Sequence, residues 1–129
     1  MGQGVAFSQE ELMQRVKKIA GEVFGLKINV PVLISKRMTR AWGLYHWKLT
    51  PKTREPLLVQ FKFAYRLVTS GDYPIKVIDD CIKHELCHWF TDHTEGRICG
   101  HDVKFYSNCR RFGINPSRLN QYQKVNQGR

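Results

Sequence analysis

His84, Glu85, Leu86, Cys87 and His88 form an H-E-x-x-H pattern within a stretch of helical periodicity. On a helix, residues four apart lie one turn above each other on one face, so both imidazoles can reach a single ion. Glu85 is turned by about 100° from His84 around the axis, which sets its carboxylate beside such an ion rather than on it. A base that takes a proton from an attacking water must stand there. The chemistry predicted is metal-assisted hydrolysis, with His84 and His88 as metal ligands, Glu85 as catalytic base and one Zn2+ as cofactor.

A catalytic zinc takes three protein ligands and keeps its fourth position open, so a further ligand must come from beyond His88. His93 is five residues on, about 140° around a continuing helix, and faces away unless the helix ends directly after His88. His101 follows Gly96 and Gly100, which let the chain reverse and return a side chain to the helix. His101 is therefore the favoured third ligand, with His93, Asp102 and Glu95 as alternatives. Asp80, four residues before His84 on the same face, could orient the outer nitrogen of that histidine, although a solvated acid is the stronger expectation. Cys81, Cys87, Cys99 and Cys109 contain no C-x-x-C pair and read as reduced, buried small side chains.

Other elements must position these residues. Ser8 and Glu11 form a capping box, and Leu12, Val16, Ile19, Ala20, Val23 and Phe24 repeat at helical spacing, predicting a helix over 9–24 closed by Gly25. Alternation then predicts strands over 28–34, with Pro31 marking an edge, over 41–49 and over 57–63, with a polar loop at 50–56. Residues 65–69 fit either a strand extension or a short helix. The motif helix runs over about 74–91, led by Pro74, and a third helix over 101–112 is stopped by Gly113. The polar tail from Pro116 frays after Tyr122. The expected fold class is α+β: an N-terminal helix, a small, largely antiparallel three-stranded sheet, the H-E-x-x-H helix and a following helix. One domain is expected over 1–129, with its folded part at about 8–115.

At 129 residues, 42% apolar and 25% charged, the composition is that of an ordinary globular domain. No apolar run approaches the roughly 18 to 20 residues of a membrane span, and the N-terminus lacks an apolar signal region. A cytoplasmic protein is expected, nucleoid-associated or nuclear if not free, and not secreted. The net charge of +10 is unevenly spread. Residues 36–66 carry eight bases against Glu55, and residues 97–129 carry seven against Asp102, while 72–95 hold six acids against two lysines. Basic segments of this kind attract polyanions, nucleic acid above all. Lys36, Arg37, Arg40, Lys48, Arg110 and Arg111 are the candidate contacts to DNA. Trp42, Tyr45, Trp47, Phe61 and Phe63 interleave with bases and could stack on unpaired nucleotides, although core packing is the stronger expectation.

HELCHWF followed by Gly100, His101, Asp102 and Phe105 resembles the SprT-like zinc metallopeptidases, the family that includes the Spartan-type DNA-dependent proteases. SKRMTRAWGLY at 35–45 is similar to the basic, glycine-containing strand region that precedes the motif there. The resemblance covers about residues 8–115. It implies a zincin-like domain with His84, His88 and His101 on zinc and Glu85 as base. It also implies peptide-bond hydrolysis in proteins bound or crosslinked to DNA. Many relatives carry a C-terminal zinc ribbon or long DNA-binding extension that this sequence lacks, so DNA contacts must come from the basic residues of the catalytic domain. The rival reading is a nucleic-acid-binding module with a structural zinc, although such sites are usually closed and cysteine-rich.

Overall fold

Helix α1 (Gln9–Ile19) starts where the Ser8 hydroxyl accepts from the Glu11 N–H at 3.1 Å and the Glu11 carboxylate accepts from the Ser8 N–H at 2.9 Å. This reciprocal pair is the expected capping box, and it satisfies two otherwise orphaned amides. The computed structural model describes residues 4–116. Leu12, Val16 and Ile19 bury the apolar stripe of α1. The α-helix does not continue to Phe24: Ala20–Phe24 widen into a π turn closed by Gly25 in the left-handed region (φ 65°). Phe24 thereby meets Phe112 and Phe90, with ring centroids 4.7 and 5.6 Å away.

Three strands follow, β1 (Val32–Ser35), β2 (Gly43–Leu49) and β3 (Pro56–Ala64), in the order β1-β3-β2. β2 and β3 pair antiparallel, but β1 runs parallel to β3, with Val32 opposite Phe61 and Ser35 opposite Ala64. The sheet is mixed, not largely antiparallel. Alternation sets the face that each side chain takes, but it carries no information on which strand becomes the neighbour. β1 also begins later than alternation suggests, because Pro31 has no N–H to give; its carbonyl accepts from the Phe61 N–H at 3.0 Å. A register shift between His46 and Trp47 breaks the alternation of β2 and leaves Trp47 38% exposed. Tyr45, Phe61 and Phe63 are in the core as expected, and Trp42 packs edge-on against Tyr73.

β3 leads directly into α2 (Tyr65–Val68), so the ambiguous stretch after residue 64 is a helical turn. Arg66 lies over the Trp42 ring at 3.9 Å and donates to the Thr39 carbonyl at 2.7 Å, fastening the β1–β2 connection. The chain before residue 8 is packed too, with the Val5 N–H on the Tyr73 carbonyl at 2.8 Å and the Phe7 N–H on the Val68 carbonyl at 2.7 Å.

Helix α3 (Ile75–Glu95) follows Pro74 and runs a turn longer than expected, to Gly96 at φ 71°. Val77, Ile78, Cys81, Ile82, Leu86 and Cys87 are its buried side. Arg15 reaches both oxygens of Asp79, at 2.9 and 2.5 Å, and joins α1 to α3. Helix α4 (Val103–Phe112) begins two residues later than expected, because Asp102 is its cap and accepts from the Lys104 and Phe105 N–H groups at 2.9 and 3.1 Å. The expected fraying after Tyr122 lies outside the described residues. Over the described residues the architecture is α+β, with a three-stranded mixed sheet and four α-helices. Among the described residues, no helix is long and apolar enough to cross a membrane.

β2 crosses α3 at Gly43. A Cβ there would lie 2.9 Å from Cys81 Sγ, 3.0 Å from Glu85 Cγ and 3.1 Å from Phe63 Cε1, whereas one on Gly21 would meet nothing within 4 Å. Gly43→Ala is expected to destabilise the fold by about 1–3 kcal/mol through overpacking. Gly21→Ala should stabilise it by about 0.5–1 kcal/mol. Urea unfolding midpoints read both signs, and equal midpoints for the two variants would contradict this packing.

Candidate metal centre

His84 and His88 rise one turn apart from α3, and His101 comes from the loop between α3 and α4. Ring centroids are separated by 4.9 Å for His84 and His88, 4.8 Å for His88 and His101, and 5.9 Å for His84 and His101. One ring nitrogen of each lies within 4.8 Å of those of the other two. Three imidazoles at this separation can share one ion, and the set suits zinc. Phe105, fully buried on α4, sets their orientation: it stacks on His88 at 4.0 Å with planes 7° apart and meets His84 and His101 edge-on at 5.4 and 5.2 Å.

Electrostatics fits ligation. Burial, and then the neighbouring His84 and His101, hold His88 down at about 3, against an ordinary value of 6.5. Burial also lowers His84. Both rings are therefore neutral at pH 7, with a lone pair to offer. The Nδ1 of His84 is buried without a hydrogen bond of normal geometry, yet the Asn115 main chain lies against the ring and favours its charged form. A carbonyl beside an outer ring nitrogen is a common way of orienting a ligand histidine. Asp80 accepts from Lys76 Nζ at 3.1 Å.

Glu85 faces an open cleft lined by Leu44, Tyr45 and Trp47 of β2, by His88 and Asp92 of α3, and by Ile98 and Gly100 of the loop. Burial pushes its carboxyl up to about 8, while the Tyr45 main-chain N–H draws it partly back. The alternatives to His101 are occupied elsewhere or absent from the cluster. His93, on the last turn of α3, lies tilted against Trp89 with ring centroids 5.0 Å apart; Asp102 caps α4 and takes the Arg97 guanidinium at 3.2 Å; Glu95 is exposed at the helix end. All four cysteines are buried and free, and Cys87 Sγ lies 3.9 Å from Cys109 Sγ on the α4 side.

The candidate DNA contacts are all exposed, but they are distributed over three elements. Lys36, Arg37 and Arg40 are on the β1–β2 connection, Lys48 is on β2, and Arg110 and Arg111 are in the last turn of α4. Arg111 also lies over the Phe112 and Phe90 rings at 4.8 and 5.8 Å, which gives it a packing role. Three residues that shape the site were not singled out for it from sequence. Gly43 admits Glu85 beneath β2, the Tyr45 hydroxyl donates to Asp92 at 2.9 Å, and Asp92 is 2% exposed within the cleft. Signals for two of them existed: a glycine between aromatics in a strand, and an acid one helical turn past His88.

Zinc added to metal-free protein at about 100 times its Kd should stabilise the fold by roughly 2.7 kcal/mol. His88→Ala and His101→Ala should each remove most of that gain. Thermal melts of chelator-treated protein with and without Zn2+ measure it, and a wild-type melt unmoved by zinc would refute a metal centre.

The sequence profile of the SprT-like family matches residues 10–124, a span that holds α3, the glycine loop and all three histidines. Neither the curated proteins nor the solved structures contain a match to this chain. The chain belongs to the SprT-like family.

Proposed function

We propose that the protein is a zinc-dependent metalloendopeptidase of zincin-like architecture. The observation that carries this reading is the convergence of His84, His88 and His101 beside Glu85 at one open cleft. A bound Zn2+ supplies Lewis acidity that eases deprotonation of water and polarises a scissile carbonyl. Glu85 takes the water proton on its carboxylate and delivers it to the departing amine nitrogen.

β2 is an edge strand, and it lines the cleft with Leu44 and Trp47, which are 44% and 38% exposed. An extended peptide lying along it would gain main-chain hydrogen bonds and apolar contacts. Tyr106, 40% exposed with its ring 6.4 Å from that of His101, offers a hydroxyl to the developing oxyanion. The Tyr45 hydroxyl is already committed to Asp92.

The substrates proposed are proteins bound or crosslinked to DNA, in cytoplasm, nucleoid or nucleus. The support is a chain of net charge +10 whose Lys36, Arg37, Arg40 and Lys48 are exposed and can track phosphates. A nucleic-acid-binding module with a structural zinc is the less favoured reading, because structural sites are closed and this one opens to a cleft beside a carboxylate.

Glu85→Gln should keep zinc and lower peptide hydrolysis by about 10²- to 10⁴-fold; a variant with full activity would refute the assignment of the base. Replacing Lys36, Arg37 and Arg40 with glutamine should flatten the slope of log K against log salt for DNA by about one for each phosphate no longer neutralised. Cleavage of a short DNA-free peptide should be unchanged, and an unaltered salt slope would remove this loop from the DNA surface.

A further inference from the structure

One buried carboxylate in the cleft has no part in the chemistry above. Asp92 lies one turn beyond His88 on α3, 2% exposed, and lines the cleft with Glu85 and His88. Burying a carboxylate is costly unless both oxygens are held. Here they are: Oδ2 accepts from the Tyr45 hydroxyl at 2.9 Å and Oδ1 from the Cys99 N–H at 2.9 Å. The carbonyl of the same residue accepts from the Gly96 N–H at 2.8 Å and the Arg97 N–H at 3.3 Å. Asp92 therefore receives three amides of the Gly96–Cys99 segment. The next turn of backbone is Gly100, at φ 60°. Beyond it, Asp102 caps α4 and takes Arg97 at 3.2 Å. His101 stands between these two anchors.

We infer that Asp92 is the positioning residue that presets His101 as third metal ligand, by locking the Gly96–Cys99 loop to α3 and tying it through Tyr45 to β2. This rests on reading the three histidines as a metal centre. Asp92 is not itself a ligand, since both its oxygens are engaged by the protein and it stands outside the histidine cluster. Its second arm reaches the other side of the site: the Tyr45 ring lies nearly parallel to that of His88, with centroids 6.4 Å apart and planes 15° apart. Two anchors on one buried side chain thus hold the loop bearing His101 and the strand beside His88. Without them the ion would have to order the loop as it binds, and its affinity would fall by that entropy.

The test measures Zn2+ affinity by chelator competition, and the visible spectrum of the Co2+-substituted protein, on the full chain. Asp92→Ala, Asp92→Leu and Asp92→Asn are compared, each with His101 intact and with His101→Ala. Leucine keeps the buried volume and removes both acceptor oxygens. Asp92→Ala and Asp92→Leu should weaken Zn2+ binding by about 10- to 100-fold and move the Co2+ spectrum toward that of His101→Ala. With His101 already removed, the same changes should alter affinity by less than about threefold. Asp92→Asn, which still offers an oxygen to Cys99 and an amide to Tyr45, should stay within about threefold of wild type. An equal loss with and without His101, or no loss at all, overturns the inference. Wild type that takes no Zn2+, or His101→Ala that binds as tightly as wild type, removes the metal-centre reading itself and the inference with it.

Discussion

Helix α3 buries Val77, Ile78, Ile82 and Leu86 in the core while its neighbouring faces hold His84, Glu85, His88 and Asp92 away from bulk water. Desolvation penalises whichever form of a side chain is charged, so one physical cause acts in opposite directions on the two kinds of group. It holds His88 down at about 3 and lifts Glu85 to about 8. The imidazoles become neutral donors, and the carboxylate becomes a group with a strong affinity for a proton. The rest of the molecule supplies what such a helix needs. A glycine lets β2 close over Glu85, Phe105 stacks behind the histidines, and Asp92 has a partner for each oxygen.

Sheet order is part of the same arrangement. Had the strands lain in sequence order, β2 would be central and both its edges would be paired. With β3 between β1 and β2, the strand next to the cleft keeps one unpaired edge among the described residues. An unpaired edge is an aggregation hazard, and it is also a template on which an extended peptide can add. The register shift at Trp47 adds an exposed apolar side chain at the same place.

The charge pattern also acquires a physical meaning in three dimensions. The acids of α3 are largely engaged within the molecule: Asp79 with Arg15, Asp80 with Lys76, and Asp92 with Tyr45 and Cys99. Lys36, Arg37, Arg40 and Lys48 remain on the surface. These four bases of the 36–66 segment therefore stay at the surface while the acids of α3 are taken up within the fold.

Sequence alone determined what depends on local periodicity and chemistry. That covers the capped first helix, the three strands, the motif helix, the histidine pair with its adjacent glutamate, and the return of His101 toward that pair after two glycines. Each follows from the spacing of residues a few positions apart, or from turn residues whose backbone freedom is intrinsic. Tertiary structure alone decided the parallel pairing of β1 with β3, the Phe105 floor, the passage at Gly43 and the roles of Tyr45 and Asp92. These join residues far apart in the chain, and neither alternation nor helical spacing encodes which surfaces meet. In the sequence Asp92 is one of six acids between residues 72 and 95; burial against β2 and the glycine loop made it a structural carboxylate, because there a hydroxyl and an amide converge on it.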